Sequence, residues 1–309
     1  MLVKSVSELI GSTPLLELGN LEKELGLKAR LLAKLEFMNP AGSAKDRVAL
    51  SMIEAAEKSG KLQPGGTIIE ETSGNTGIGL ASVGCPRGYR VVIVMPDSMS
   101  AERIRTMKAY GAEVILTPGA LGMQGALEEA EKLSRQIPGS IIAGQFVNPA
   151  NPEAHYHTTG PEIWKDTCGE VDAFVVGVGT GGTITGTGRY LKEQNPSVKI
   201  IAVEPESSPL LSKGVSGPHD LQGIGANFVP EVLDTSVYDE IITVADEAAY
   251  EAARLVCRKE GTFVGITSGA ALCAAVEIAK REEFTGKTVV VLFTDTGTRY
   301  LSTKVFEGM

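Results

Sequence analysis

The sequence predicts an α/β protein organised around parallel β-sheets. Short runs of β-branched residues alternate with amphipathic helical patterns along all 309 residues. The runs 91–94 and 289–293 are apolar throughout, which is typical of parallel strands that helices cover on both faces. Gly60, Gly111 and Gly261 each follow a helical pattern, where a left-handed residue commonly ends a helix. Together these observations indicate the α/β class.

The predicted elements alternate in order along the chain. The candidate strands are residues 67–71, 90–95, 113–117, 140–143, 173–177, 199–203, 240–244 and 288–293. The clearest helical patterns are residues 46–59, 101–110 and 246–260, and the next residue in each case is the glycine that ends the helix.

The chain is long enough to divide into two domains. Residues 148–152 are polar, contain two prolines and lie near the midpoint, so they are the predicted crossing. The predicted domains are therefore residues 1–149 and 150–309. The sequence leaves open that part of residues 1–40 packs on the second domain.

Composition excludes several classes of function. The net charge is −9 and the basic residues are dispersed, so a nucleic acid would be repelled. The cysteines lie far apart without CxxC spacing, which favours reduced thiols over disulfides or a zinc site; they are Cys85, Cys168, Cys257 and Cys273. We find neither a signal-peptide pattern nor an apolar run of the roughly 20 residues that cross a bilayer. We expect a soluble, cytoplasmic protein.

Lys45 lies at the predicted start of a helix. Ser43 and Asp46 match a capping pattern, with a hydroxyl first and a carboxylate three residues later. In the first turn, the positive end of the helix dipole disfavours the protonated form of Lys45. A partly deprotonated amine is what imine formation requires. The alternative interpretation is an ordinary surface lysine.

Residues 72–77, Thr-Ser-Gly-Asn-Thr-Gly, connect a predicted strand to a glycine-rich helix. Backbone N–H groups and hydroxyls at such a turn form an anion site that suits a carboxylate. The amide of Asn75 is able to donate to a phenolate-like oxygen. An ordinary polar loop is the alternative.

Gly179-Thr180-Gly181-Gly182-Thr183 closes another predicted strand. Bare backbone at a helix start is typical of a phosphate site. Gly177, Gly179 and Gly182 also satisfy GxGxxG, and Glu204 stands where a ribose-binding acid would, so a dinucleotide site is an open alternative. The threonines favour a single terminal phosphate.

Two further pairs of polar residues lie on predicted helices. Thr267 and Ser268 open a predicted helix, and we interpret Ser268 as a hydroxyl N-cap. His155 and His157 lie two residues apart on a predicted helix, hence on different faces, and we assign them structural roles. One amine combined with several anion-binding helix starts suggests pyridoxal phosphate and an amino-acid substrate.

These residues together resemble the O-acetylserine sulfhydrylase, or cysteine synthase, family within the fold type II pyridoxal-phosphate enzymes. The resemblance covers nearly the whole chain. Its motifs are GSTPL (11–15), SAKDR (43–47), TSGNTG (72–77), QF (145–146), TTGPEIW (158–164), GTGGT (179–183), GPH (217–219), QGIGA (222–226) and RYLST (299–303). It implies two open twisted α/β domains with the cofactor in the cleft between them. It disfavours the dinucleotide alternative, because a dinucleotide site assigns no function to Lys45.

The resemblance also implies a role for each site residue. Lys45 would form the Schiff base and Asn75 would bond the cofactor's ring oxygen. The phosphate would be held by Gly179, Thr180, Gly181, Gly182 and Thr183. The substrate carboxylate would be held by Thr72, Ser73, Thr76 and Gln145, with Gly223 across the cleft. Thr267 stands where the family has a serine against the ring nitrogen, and its rotamers are stiffer.

By this resemblance the chain makes L-cysteine by β-replacement: O-acetyl-L-serine loses acetate to give an aminoacrylate, and sulfide adds to it. Cystathionine β-synthase chemistry from serine and homocysteine is one alternative, although that family usually has a tyrosine where this chain has Ala226. Use of O-phosphoserine and a non-catalytic docking subunit are others. The family also implies a homodimer, in some members with a bound serine acetyltransferase tail.

Overall fold

The computed structural model describes residues 2–307, and the chain forms two compact units. Unit 1 comprises the residues up to Ile10 together with Asn39–Asn151. Unit 2 comprises Gly11–Met38 together with the chain from Pro152 onward. That residues 1–149 and 150–309 fold as separate domains stays a prediction.

Strands and helices alternate along the chain. In residues 2–307 the strands are β1 (Leu15–Glu17), β2 (Arg30–Leu35), β3 (Thr67–Glu71), β4 (Arg90–Pro96), β5 (Glu113–Thr117), β6 (Ser140–Ile142), β7 (Ala173–Gly177), β8 (Lys199–Pro205), β9 (Glu240–Val244) and β10 (Thr288–Phe293). The α-helices are α1 (Gly19–Leu25), α2 (Lys45–Lys58), α3 (Asn75–Gly84), α4 (Ala101–Ala109), α5 (Gly122–Gln136), α6 (Ala150–Ala154), α7 (Gly160–Asp166), α8 (Gly182–Gln194), α9 (Leu210–Lys213), α10 (Asp246–Glu260) and α11 (Ile266–Ala279). None of these helices is long and apolar enough to cross a membrane.

Unit 1 is built on a parallel sheet in the order β5-β4-β3-β6. Alternate residues of β3 enter different cores, because successive side chains in a strand point to opposite faces. Ile68 packs with Val48 of α2 and Ile78 of α3. Ile69 packs in a second core with Ala126 of α5. Helices therefore cover both faces of this sheet.

Unit 2 is built on a sheet in the order β1-β2-β10-β7-β8-β9. Its strands are parallel except β1, which runs antiparallel to β2. Val291 of β10 packs with Ala271 of α11 on one face. Val290 packs with Ile184 of α8 on the other face. Every residue of β10 is buried, as the apolar run 289–293 predicts.

The predicted α/β class is confirmed, and each of the eight predicted strands is present with ends within two residues of the prediction. Two strands were not predicted. β1 is short, and β2 reads Arg-Leu-Leu-Ala-Lys-Leu, a composition that favours a helix as much as a strand. Parallel pairing with the whole of β10, rather than local preference, makes β2 a strand.

Two predicted helix caps are wrong in detail. A capping box would join the Ser43 hydroxyl to the N–H of Asp46 and the Asp46 carboxylate to the N–H of Ser43. Instead, Ser43 Oγ accepts the N–H of Lys45 at 3.2 Å, and the Asp46 carboxylate accepts the N–H of Ala41 at 2.6 Å. Helix α11 begins at Ile266, so Ser268 is not its N-cap. The Ser268 hydroxyl accepts the N–H of Thr294 at 2.9 Å, which satisfies a backbone donor just after β10.

Candidate active site

Lys45 is the first residue of α2 and is half-buried. Helix α3 packs against this point of α2 because it has a glycine there. A Cβ added at Gly79 would lie 2.9 Å from the Lys45 carbonyl oxygen and 3.1 Å from Ala49 Cβ. The close approach of two backbones therefore places Lys45 beside α3.

The turn between β3 and α3 carries the predicted carboxylate-binding residues. Thr72 is buried directly after β3, and its hydroxyl accepts the N–H of Gly74 at 3.2 Å. Asn75 and Thr76 open α3, where the first N–H groups of a helix lack intrahelical partners. The Thr76 hydroxyl donates to Gln145 Oε1 at 2.5 Å. Unit 1 thus gathers hydroxyls, helix N–H groups and one amide on neighbouring elements.

The strand leading into this turn carries a buried carboxyl group. Glu70 is fully buried, and burial raises its pKa from 4.5 to about 8, with a further contribution from the charge of Glu71. At neutral pH most Glu70 side chains therefore retain their proton. This reduces the negative charge beside a turn that is predicted to bind an anion.

In unit 2 the predicted phosphate loop connects β7 to α8. Gly181 has φ +83°, a left-handed conformation that suits glycine. A Cβ added at Gly179 would overlap the carbonyl oxygen of Gly223. The Thr180 hydroxyl accepts the N–H of Gly182 at 3.3 Å. The loop is thus bare backbone that ends in the first turn of α8, as a phosphate site requires.

His155 supports this loop. It is fully buried in a π-helical turn, His155–Thr159, and its Nε2 lies 3.1 Å from Thr183 Oγ1. Its Nδ1 lies 2.9 Å from Thr159 Oγ1. From its position in the sequence, His155 is assigned a structural role only. Its spacing of four residues from Thr159 was the available signal, but nothing in the sequence connected it to Thr183.

The last two predicted residues also lie close together in unit 2. A Cβ added at Gly223 would lie 3.4 Å from Thr267 Cγ2. Because the hydroxyl of Ser268 is already bonded to Thr294, Thr267 is the better candidate to contact a ligand. Thr267 is nevertheless buried, at 3% exposure.

The dinucleotide alternative fails at Glu204. Its carboxylate accepts the N–H of Leu211 at 2.8 Å and the N–H of Ser212 at 3.1 Å, and it also accepts the Ser212 hydroxyl. These bonds hold the start of α9 and occupy the group that would bind a ribose. Within residues 2–307 no group of acidic, histidine or cysteine side chains is arranged to hold a metal ion.

Each unit therefore gathers its own part of the predicted site, while the roles of the residues stay predictions. Unit 1 holds Lys45, Thr72, Ser73, Asn75, Thr76 and Gln145. Unit 2 holds Gly179, Thr180, Gly181, Gly182, Thr183, Gly223 and Thr267. The bare loop, its glycines and the supported Thr183 hydroxyl fit the phosphate of pyridoxal phosphate.

Comparisons with known proteins agree with this geometry. Residues 6–295 match the family model described as "Pyridoxal-phosphate dependent enzyme". The chain is 50% identical to a cysteine synthase of Staphylococcus aureus over 98% of this chain and 97% of that protein. It superposes on a cysteine synthase of Entamoeba histolytica with a TM-score of 0.97 at 46% identity, covering 100% of this chain and 92% of the other.

A hydrogen sulfide-producing enzyme of Fusobacterium nucleatum also superposes, with a TM-score of 0.93 at 48% identity, covering 97% of this chain and 100% of the other. The predicted fold type and cofactor are confirmed by these matches. From a family match along almost its whole length, which agrees with the predicted roles of Lys45 and of the loop 179–183, we conclude that the chain belongs to the pyridoxal-phosphate dependent enzymes.

Proposed function

We propose that the protein makes L-cysteine from O-acetyl-L-serine and sulfide by β-replacement. The observation that carries this proposal is 50% identity to a cysteine synthase over 98% of the chain. Each unit carries its own group of predicted site residues, which supports the proposal.

The residues that would hold the cofactor are those of the predicted site. Lys45 would carry it covalently, Asn75 would bond its ring oxygen, and residues 179–183 would bind its phosphate. When bound, pyridoxal phosphate supplies an electron-withdrawing ring that makes the α-proton of an amino acid acidic and permits loss of a β-substituent.

Lys45 is the proposed base. With cofactor and amino-acid substrate bound, the Lys45 amine would remove the proton at the substrate α-carbon. Its place in the first turn of α2, fixed by packing on Gly79, limits the positions that this amine reaches.

The proposed carboxylate site comprises Thr72, Ser73, Thr76 and Gln145. The bond from the Thr76 hydroxyl to Gln145 Oε1 orients the Gln145 amide. Two neutral groups held in this way, together with the N–H groups of the α3 start, are able to bind a carboxylate without a lysine or arginine.

Thr267 would face the ring nitrogen with a neutral hydroxyl. A hydroxyl stabilises a protonated ring nitrogen less than a carboxylate does. Weaker electron withdrawal favours prompt loss of the β-substituent over racemisation or transamination.

The test is to compare two substrate pairs with purified protein. We expect cysteine from O-acetylserine plus sulfide, and much slower product formation from serine plus homocysteine. Lys45→Ala should abolish turnover, whereas Lys58→Ala, at the exposed end of the same helix, should not. Faster reaction of the second pair would instead support cystathionine β-synthase chemistry, and O-phosphoserine is a third donor to compare.

A second candidate is hydrogen sulfide production, because the enzyme named for that activity is 48% identical over 97% of this chain. Sulfide release from L-cysteine, measured beside cysteine synthesis, separates the two directions. Release faster than synthesis would favour the second candidate.

We further propose a cytoplasmic homodimer that binds the C-terminal tail of a serine acetyltransferase. Free cysteines at all four positions support the cytoplasm, and membership of the family supports the dimer. Light scattering after gel filtration tests the dimer. Titration with a synthetic tail peptide tests the partner, and lack of binding would remove it.

A further inference from the structure

Glu70 lies where strand pairing in unit 1 stops. The pairing of β3 with β6 runs from Thr67 with Ser140 to Ile69 with Ile142, and then the Ala143 N–H donates to the Ile69 carbonyl at 2.9 Å. Beyond this point the chain leaves the sheet, and the next backbone N–H groups need other acceptors.

The Glu70 carboxyl group supplies those acceptors. It accepts the N–H of Gly144 at 2.7 Å on one oxygen and the N–H of Gln145 at 3.3 Å on the other. Gly144 has φ +68°, so the chain turns through a left-handed residue between the sheet and Gln145. A single buried side chain therefore fixes two successive N–H groups at this turn.

Gln145 is consequently held on three sides. Glu70 binds its N–H, Thr76 binds its side-chain oxygen at 2.5 Å, and Asn151 Nδ2 donates to its carbonyl at 2.8 Å. The bond to Thr76 and a side-chain interaction with Glu70 define the side chain, and the bonds of the N–H to Glu70 and of the carbonyl to Asn151 define the backbone. Without Glu70 the backbone on the sheet side would lose its anchor.

We propose that Glu70 is a positioning residue for the substrate α-carboxylate, acting through Gln145. The inference rests on the proposed function, which assigns the carboxylate to Gln145 and its neighbours. In this role Glu70 would act without touching the substrate. Its effect should therefore appear in the affinity for the amino-acid substrate and not in the use of sulfide.

The effect of Glu70 on substrate affinity should depend on pH, because its two hydrogen bonds depend on its protonation state. A proton on either oxygen places a hydroxyl beside an N–H donor and weakens one of the two bonds. The charged groups that act on this carboxyl are Glu71 on the same strand and, through Glu71, Glu131 on α5. The pKa of Glu70 is raised to about 8, so the carboxylate form gains population between pH 6.5 and 8.5.

The test measures the KM for O-acetylserine in wild type and Glu70→Gln at pH 6.5 and 8.5. At pH 8.5 we expect the variant's KM to be about tenfold higher, the effect of losing one buried hydrogen bond to a charged group. At pH 6.5 the ratio should fall to less than about threefold, because the wild-type side chain is then also neutral. The KM for sulfide and the kcat should change less than about twofold.

Glu71→Gln is the matched control at pH 8.5, since it neutralises the adjacent carboxyl, which makes no bond to residues 144–145 within the described chain, and since loss of its charge favours the carboxylate form of Glu70. A direct readout is hydrogen exchange of the peptide 143–147, which should become faster in Glu70→Gln and not in Glu71→Gln. Should Glu70→Gln fail to fold, Glu70→Asp keeps the charge but withdraws the carboxylate by one methylene, and the same changes are expected.

Equal KM ratios at the two pH values, equal effects of the two glutamine variants, or unchanged exchange would each overturn the role of Glu70. Faster exchange without a KM effect would show that Glu70 orders the turn but not the substrate. Failure of the proposed function is recognised separately, because the wild type would then not turn over O-acetylserine at either pH.

Discussion

Gly79 determines where Lys45 lies, although it is not part of any site motif. Its α-carbon faces the backbone of Lys45, and a methyl group there would sit 2.9 Å from a carbonyl oxygen that has no freedom to rotate away. The position of the Lys45 amine, the proposed reactive group, therefore depends on the lack of a side chain at Gly79 in the neighbouring helix.

We predict that Gly79→Ala displaces the start of α2. Overpacking typically costs about 1–3 kcal/mol, partly offset by the better helix propensity of alanine, about 1 kcal/mol. Turnover should fall more than stability, since Lys45 moves with the backbone. Gly19→Ala, where a Cβ meets nothing within 4 Å, is the control. Denaturation and steady-state kinetics measure both effects, and wild-type activity in Gly79→Ala would contradict the prediction.

A second prediction concerns the stability contributed by Glu70. Its folded pKa, about 8, is raised above the ordinary 4.5, so the folded state binds the proton more tightly than the unfolded state. The associated stability is complete below about pH 4.5 and is lost as pH rises through about 8. Each pKa unit corresponds to about 1.4 kcal/mol.

Urea unfolding of wild type and Glu70→Gln between pH 5 and 8.5 checks this dependence. The wild type should lose stability relative to the variant as pH rises, by a few kcal/mol at most. A difference between the two proteins that stays constant with pH would show that Glu70 does not titrate in this range.

The predicted site residues that the sequence reveals most directly are those whose type indicates their chemistry. Lys45 and residues 72–77 and 179–183 combine reactive or hydroxyl side chains with glycines at strand-to-helix turns, and the structure places them at such turns. The contacts of His155 with Thr183 and of Glu70 with Gln145 were not predicted, because these partners lie 28 and 75 residues apart in the sequence. No local pattern encodes contacts of that kind.

At the scale of elements, β2 shows why a strand escapes prediction. Lys34 interrupts its apolar run, yet this side chain is completely buried. Its ammonium donates to the Thr13 carbonyl at 2.5 Å and pairs with Glu162 at 2.7 Å. A lysine reads as a surface residue in a sequence, and only tertiary partners make it tolerable inside.

We predict that Lys34→Met destabilises the protein by roughly 2–4 kcal/mol, because it leaves Glu162 without its cation. Glu162→Gln in the same chain should restore part of this loss, since the carboxylate that pairs most closely with Lys34 is then neutral and only the more distant Asp166 stays charged. Chemical denaturation of the single and double variants is the measurement. A double variant less stable than the sum of the single changes would contradict this explanation.

At the scale of the whole molecule, the segment Gly11–Met38 belongs to unit 2. Its strand β2 pairs with β10, and Leu18, Leu21 and Leu31 are buried in the core that also contains α10 and α11. The predicted cut between residues 149 and 150 would separate this segment from the rest of its core.

We therefore predict that a fragment of residues 150–309 aggregates when made alone, because β10 would expose an apolar edge. Supplying residues 11–38 as a fused segment should yield soluble, cooperatively unfolding protein. Circular dichroism and gel filtration compare the two fragments. A soluble, folded 150–309 fragment would support the predicted domain range as an independent unit.

The pairing of Arg30–Leu35 with Thr288–Phe293 also has a consequence for synthesis on the ribosome. All four strands of the other sheet have been made once Ile142 emerges, so that sheet is able to form early. Strand β10, which pairs with β2, emerges only near the end of translation. Translation adds about 5–20 residues per second. Until β10 has been made, one edge of β2 stays unpaired. We expect chaperones to be needed most during this interval.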